Sequence, residues 1–236
     1  GGSKGIGLAS AVELALLGAN VIIASRSEED LKVAIKLLDI AKGQTHDYLV
    51  VDYSNLPKLK TKVEQLVLKK KGIQILVNNT GGPAGGPIKD ATSSEFIAAF
   101  NNHLLANHLL VQTLVPGMQK SNYGRVINII STSVKIPLNG LGVSNTIRGA
   151  VASWAKTMAN ELGAFGITVN NVLPGATATE RLESIIKNKA KKIAKEEAIV
   201  AEQMKSVIPM NRFAEPNEIG SFVAFLASPA AAYING

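Results

Sequence analysis

The chain has 236 residues, 46% of them hydrophobic and 18% charged, and no cysteine. That is enough apolar material for one globular domain with a sizeable core, and the lack of cysteine excludes disulfides and thiolate metal sites. The net charge is +7, and much of the excess sits in LKKKG at 68–72 and KNKAKK at 187–192, which carry no interleaved aromatics and read as solvated helix ends, not a nucleic-acid surface.

No apolar run reaches the roughly 20 residues of a membrane span. A cytoplasmic protein is therefore expected, with neither nucleic acid nor membrane as a partner and no metal. The basic surface suits a phosphorylated cofactor or an acidic acyl carrier.

In chain order, the first element is the glycine-rich segment GGSKGIG, with Gly1, Gly5 and Gly7 ahead of Ile6, Leu8, Ala9, Val12, Ala15 and Leu16 at roughly helical spacing. Glycine tolerates positive φ and leaves room for a phosphate to approach the backbone. A helix N-terminus behind it offers free N–H groups and a favourable dipole to a pyrophosphate. Short β-branched runs then follow at 21–25, 48–52, 73–77, 125–130 and 167–173, separated by helical patterns. Continuous apolar strands alternating with helices predict a parallel sheet covered on both faces, a doubly wound α/β fold.

Two intervening helices are well marked. Thr92 and Glu95 form a capping-box pattern for a helix to about Leu114, with Phe96, Phe100, His103, Asn107 and Leu114 on one stripe. A second helix, from about Ser144 to Leu162, sets Ile147, Val151, Trp154, Met158 and Leu162 on one face with Arg148 beside it. Its other side carries Ala152, Ala155 and Ala159, a composition that suits packing between subunits.

Together these residues resemble the short-chain dehydrogenase/reductase family over essentially the whole chain. GGSKGIG resembles its glycine motif, Asp52 the acid that meets the adenine, and NNTG at 78–81 its NNAG, with Thr80 as the departure. Pro174 and Gly175, with Thr179 four residues beyond the glycine, match the loop over the nicotinamide, and the segment from Ile208 to Gly236 is similar to 3-oxoacyl-acyl-carrier-protein reductases.

The resemblance implies a Rossmann-like sheet, a fragment lacking the family's first strand before Gly1 and its last after Gly236, with a break between 21–25 and 73–77. It also implies a cofactor site at Gly1, Ser3, Lys4, Gly5, Ile6, Gly7, Arg26, Asp52, Tyr53, Asn79, Thr80, Gly81, Arg148, Pro174, Gly175, Thr177 and Thr179. Lys4 and Arg26, with Ser25 where an acid would mark NAD use, point to NADP(H).

The family's catalytic asparagine, serine, tyrosine and lysine fall by ungapped counting on His103, Ser131, Ser144 and Arg148, so three of the four are changed. A serine hydroxyl is far too weak an acid to replace a phenol, and Arg148 keeps the cationic donors but cannot relay protons. His103, titrating near 6.5 in water, is the evident substitute acid. His46 and His108 are unlike catalytic groups, and Tyr123 is expected to lie too far away.

The expected function is NADP(H)-dependent interconversion of a small-molecule carbonyl and alcohol by a homodimer or homotetramer. The alternative is an NADP(H)-binding sensor or partner protein with little hydride transfer. Residues 177–207 are expected to cover the substrate.

Overall fold

A computed structural model describes residues 1–70 and 72–236; position 71 of the basic run 68–72 lies outside the described residues. The elements run α1 (Gly5–Leu16), β1 (Ile22–Ser25), α2 (Glu28–Ala34), β2 (Asp47–Val50), α3 (Leu56–Lys70) and β3 (Ile75–Asn78). There follow α4 (Ser93–Phe100), α5 (Ala106–Ser121), β4 (Gly124–Ile129), α6 (Gly142–Leu162), β5 (Ile167–Val172), α7 (Glu180–Ile193), α8 (Glu197–Lys205) and α9 (Pro216–Ala227). All five expected strands form, within two residues of their predicted ends.

Every strand pairing is parallel. β1 pairs with β2, and β3–β4–β5 form a second sheet. β1 and β3 do not pair among the described residues.

Burial explains the layers. All six residues of β4 are buried, and its side chains alternate between faces as strand geometry requires. Val126 packs with Leu110, Leu114, Ala155 and Ala159 of α5 and α6. Ile127 and Ile129 pack with Val223, Ala224 and Leu226 of α9 on the opposite face. Helix α1 crosses α9 closely, because a Cβ on Gly220 would stand only 2.8 Å from the Ala9 carbonyl.

The capping box at Thr92 and Glu95 forms, but the helix it opens is not one regular α-helix. Residues Asn101–Leu105 make a π-helical turn between α4 and α5, and α5 runs on through Pro116 to Ser121. On α6, Ala155 and Ala159 are core residues, 0% and 1% exposed, while Ala152, Trp154 and Met158 are half-buried. The expected division into core face and small-residue subunit face is therefore corrected: the small face packs on the sheet, where short side chains allow α6 to lie close to β5.

Beneath the carboxyl ends of the second sheet runs a chain of amides. Asn78 Nδ2 donates to Asn128 Oδ1 at 2.9 Å, and Asn128 Nδ2 donates to Asn171 Oδ1 at 3.1 Å. These residues are register partners across the three strands. They hold one another where the strands turn into the loops that carry the site, and Asn78 Oδ1 is left buried without a partner among the described residues.

Candidate active site

A cavity of about 760 Å³ opens at the carboxyl ends of the strands, the usual ligand position in open α/β sheets. Of the expected cofactor residues, Gly1, Ser3, Lys4, Gly5, Ile6, Arg26, Asp52, Tyr53, Asn79, Thr80, Gly81, Arg148, Pro174, Gly175, Thr177 and Thr179 all line it. Leu182 and Ile185 of α7 and Met204 of α8 also line it, so the 177–207 segment supplies an apolar wall.

The glycine loop has the shape its sequence implies. Gly5 opens α1 at φ +53°, a left-handed conformation that favours glycine, and a Cβ there would meet Thr179 Cγ2 at 3.2 Å. Lys4 is the N-cap residue and its side chain makes no capping bond, leaving the first N–H groups of α1 free for an anion. Gly7 does not line the cavity, which corrects its placement. It faces inward against the Gly1 carbonyl and Asn79, where any side chain would collide, and Asn79 Nδ2 donates to Gly1 O at 3.1 Å. Gly7 therefore positions the loop against the end of β3.

The charges differ from expectation. Lys4 Nζ lies 3.6 Å from both Asp30 and Glu180, so its charge is shared with two carboxylates. Arg26 makes no ion pair among the described residues; the carboxyl of Asp52 is lowered mainly by the bonds that Ser54 donates to it and only then by the Arg26 charge. Asp30 itself lines the cavity. Of the two cations expected to favour NADP(H), Lys4 is thus shared with carboxylates, whereas Arg26, among the described residues, is not.

Ser131, Ser144 and Arg148 all line the same cavity. Ser131 Oγ accepts from Ser133 N at 3.1 Å, leaving its own O–H to donate outward. Arg148 is only 9% exposed; its Nη1 donates to Ile129 O at 2.9 Å and its Nη2 to Thr80 O at 3.5 Å. Burial, then the neighbouring Arg181, lower its guanidinium to about 10, which leaves it a cation at neutral pH.

His103 does not join them. It is 2% exposed and absent from the cavity wall, with Nδ1 2.6 Å from Thr80 Oγ1. Burial, then the Arg148 charge, lower its ring to about 3. The expected place of His103 beside Ser131, Ser144 and Arg148 is therefore corrected: the buried ring, kept neutral near pH 7, stands behind Thr80 and outside the cavity wall. The two departures from the family pattern, at 80 and 103, touch each other.

Sequence counting missed Asn102, which lines the cavity from the π turn. A π turn carries five backbone steps where an α turn carries four, so it rotates one neighbour of His103 toward the site. The run of two asparagines before His103 was the only sequence signal for it. Arg181 was also missed; it lines the cavity from α7.

The remaining titratable candidates are committed elsewhere. Val21 N donates to His46 Nδ1, and His108 Nδ1 accepts from Trp154 Nε1. Tyr123 donates to Ala227 O at 2.8 Å and lies outside this cavity. Tyr53 lines it, but burial pushes its phenol up to about 12.

A family model described as enoyl-(acyl carrier protein) reductase matches residues 1–236. The chain belongs to the short-chain dehydrogenase/reductase family. It is 32% identical to the 3-oxoacyl-[acyl-carrier-protein] reductase FabG of Vibrio cholerae, across 100% of this chain and 91% of that protein. The crystal structure of YwfH, an NADPH dependent reductase involved in bacilysin biosynthesis, superposes with a TM-score of 0.93 at 27% identity, over 100% of this chain and 91% of that one. L-sorbose reductase from Gluconobacter frateurii, complexed with NADPH and L-sorbose, gives 0.92 at 28% identity over 100% and 90%. The family is one of oxidoreductases acting between CH–OH and C=O, and its solved neighbours use nicotinamide cofactors.

Proposed function

We propose that residues 1–236 form a single dinucleotide-binding domain that uses NADP(H) to interconvert a carbonyl and an alcohol at an altered site. The observation that carries this reading is one continuous cavity joining the uncapped N-terminus of α1 and Arg26 to the cluster Ser131, Ser144 and Arg148. A bound nicotinamide would supply or accept the hydride. The residues fit it: Gly5 and the bare α1 terminus suit a pyrophosphate, and Arg26 suits a ribose phosphate.

The chain's own groups then act on the substrate oxygen. The Ser131 and Ser144 hydroxyls donate hydrogen bonds to it, and the buried Arg148 cation favours negative charge developing there, where exclusion of water strengthens the effect. Hydroxyl donors and a buried cation lining one cavity suit a carbonyl oxygen rather than a carbon–carbon double bond. Arg148 also retains donors for the cofactor ribose. With His103 neutral and Tyr53 too weak an acid, the proton comes from water. Exposed Ile97 and Phe100 on α4 and the stacked Phe222 and Phe225 on α9 support a homodimer or homotetramer.

The same lack of a matched acid supports a second reading, a cofactor-binding protein with little turnover. Removing a general acid costs a factor of about 10² to 10⁴. The test is fluorescence titration with NADPH, followed by NADPH oxidation against a panel of ketones, aldehydes and oxo acids. Binding with turnover supports the enzyme; tight binding with no oxidation supports the second reading. A chain that binds neither NADPH nor NADH sinks both.

A further inference from the structure

Two arginines converge in this cavity without a carboxylate between them. Arg181 Nη2 and Arg148 Nη2 stand 3.7 and 4.0 Å from the single point where a Cβ on Gly82 would sit. Arg181 is tied to the 81–83 loop by donation of Nη2 to Pro83 O at 2.7 Å, and Arg148 by its bond to Thr80 O. Both are thus held by backbone carbonyls, and neither makes an ion pair among the described residues.

The acids that line the cavity are engaged elsewhere: Asp30 and Glu180 with Lys4, Asp52 with Ser54. Like charges brought together with one guanidinium nine-tenths buried repel each other. Each of those two effects is visible at Arg148, which burial and then Arg181 push below its usual range. An anion between them relieves both. The planar fork of each guanidinium matches a carboxylate, and such charge-assisted bonds are stronger than neutral ones.

We infer that the cavity takes a substrate bearing a carboxylate, gripped by Arg181 and Arg148 beside the Ser131 and Ser144 hydroxyls. This inference rests on the oxidoreductase reading for the word substrate, but not for the binding itself. The wall of Leu182, Ile185 and Met204 on the Arg181 side suits a carbon chain, whereas the groups suited to cofactor phosphates, the α1 terminus and Arg26, belong to other elements. Gly82 leaves the space between the two guanidiniums open.

The test is calorimetric titration of the whole chain, without cofactor and at low salt, with 2-oxopropanoate, 3-oxobutanoate and 4-oxopentanoate and with the methyl ester of each. Each pair keeps the carbonyl and differs by one charge. At least one acid is expected to bind about 10-fold or more tightly than its ester. Arg181→Met should cut that preference about 3-fold or more, with Arg148 still in place, and Arg181→Lys should keep more of it; Arg181 is exposed, and circular dichroism confirms that either variant is folded.

Equal affinity for every acid and ester in the unaltered chain overturns the inference, as does a preference that Arg181→Met leaves unchanged. If Arg181→Met instead weakens NADPH about 10-fold while the acid preference stands, the arginines serve the cofactor's phosphates and the inference falls. A carboxylate preference in a chain that binds no NADPH sinks the oxidoreductase reading and leaves the anion site standing.

Discussion

His103 offers a direct measurement of how the altered site is built. The ring is buried against Thr80 near the Arg148 cation and held at about 3, whereas in the unfolded chain it titrates near 6.5. Between those values the unfolded state binds a proton that the native state refuses, so stability falls as pH falls through this window. The slope from this one group approaches 1.4 kcal/mol per pH unit, or roughly 2–3 kcal/mol between pH 6.5 and 4.5. His103→Asn removes that term while retaining a polar group for Thr80. At pH 7.5 the variant should be less stable by about 1–2 kcal/mol, from lost packing and a weakened hydrogen bond. That deficit should shrink or reverse by pH 4.5, because the variant escapes the acid penalty. Urea unfolding followed by circular dichroism at both pH values gives the difference directly, with all carboxylate titrations common to both proteins. A stability gap that does not change with pH, or an NMR titration of the His103 ring with a midpoint near 6.5, would refute the reasoning and restore His103 as a proton donor.

Further outcomes follow from other parts of the site. His103→Asn should leave any NADPH-dependent carbonyl reduction within a few-fold between pH 5.5 and 8; a 100-fold loss of kcat would mean that the ring does reach the substrate. Ser144→Tyr with Arg148→Lys restores the proton donor and relay that the resemblance implies, and should raise turnover by about 10² or more if the scaffold is otherwise competent; unchanged turnover would place the defect elsewhere. Arg26→Ala should weaken NADPH binding more than Lys4→Ala does, since Lys4 already shares its charge with Asp30 and Glu180, and should leave NADH nearly unaffected; equal effects of the two changes in a titration would contradict that ranking. Asn128→Ala breaks the amide chain on both sides, and with its side chain fully buried it should cost about 1–3 kcal/mol in urea unfolding; a loss below 0.5 kcal/mol, roughly the lower limit for a single net bond, would show that the ladder contributes nothing.

The parts legible in sequence were those set by local rules. The strand runs are β-branched and continuous because both faces are covered, and Val126 and Ile127 pack in opposite directions as that pattern requires. The glycine loop was legible because Gly5 needs its left-handed φ and Gly7 has no space for a side chain. Tertiary effects were not. Ala155 and Ala159 look the same whether they meet a subunit or a sheet, and the pairing of Lys4 with Asp30 and Glu180 joins residues far apart in sequence. The π turn is the clearest case, since counting along the chain presumes a constant rotation per residue, and one extra residue within Asn101–Leu105 is enough to exchange which neighbour faces the cavity. His103 then becomes a core residue and Asn102 a wall residue. Thr80 explains why the exchange holds: its hydroxyl gives the buried ring a partner that an alanine could not offer. The two substitutions are thus one structural change, a second hydrogen-bonded layer behind the site, while Ser131, Ser144, Asn102 and the arginines line its front.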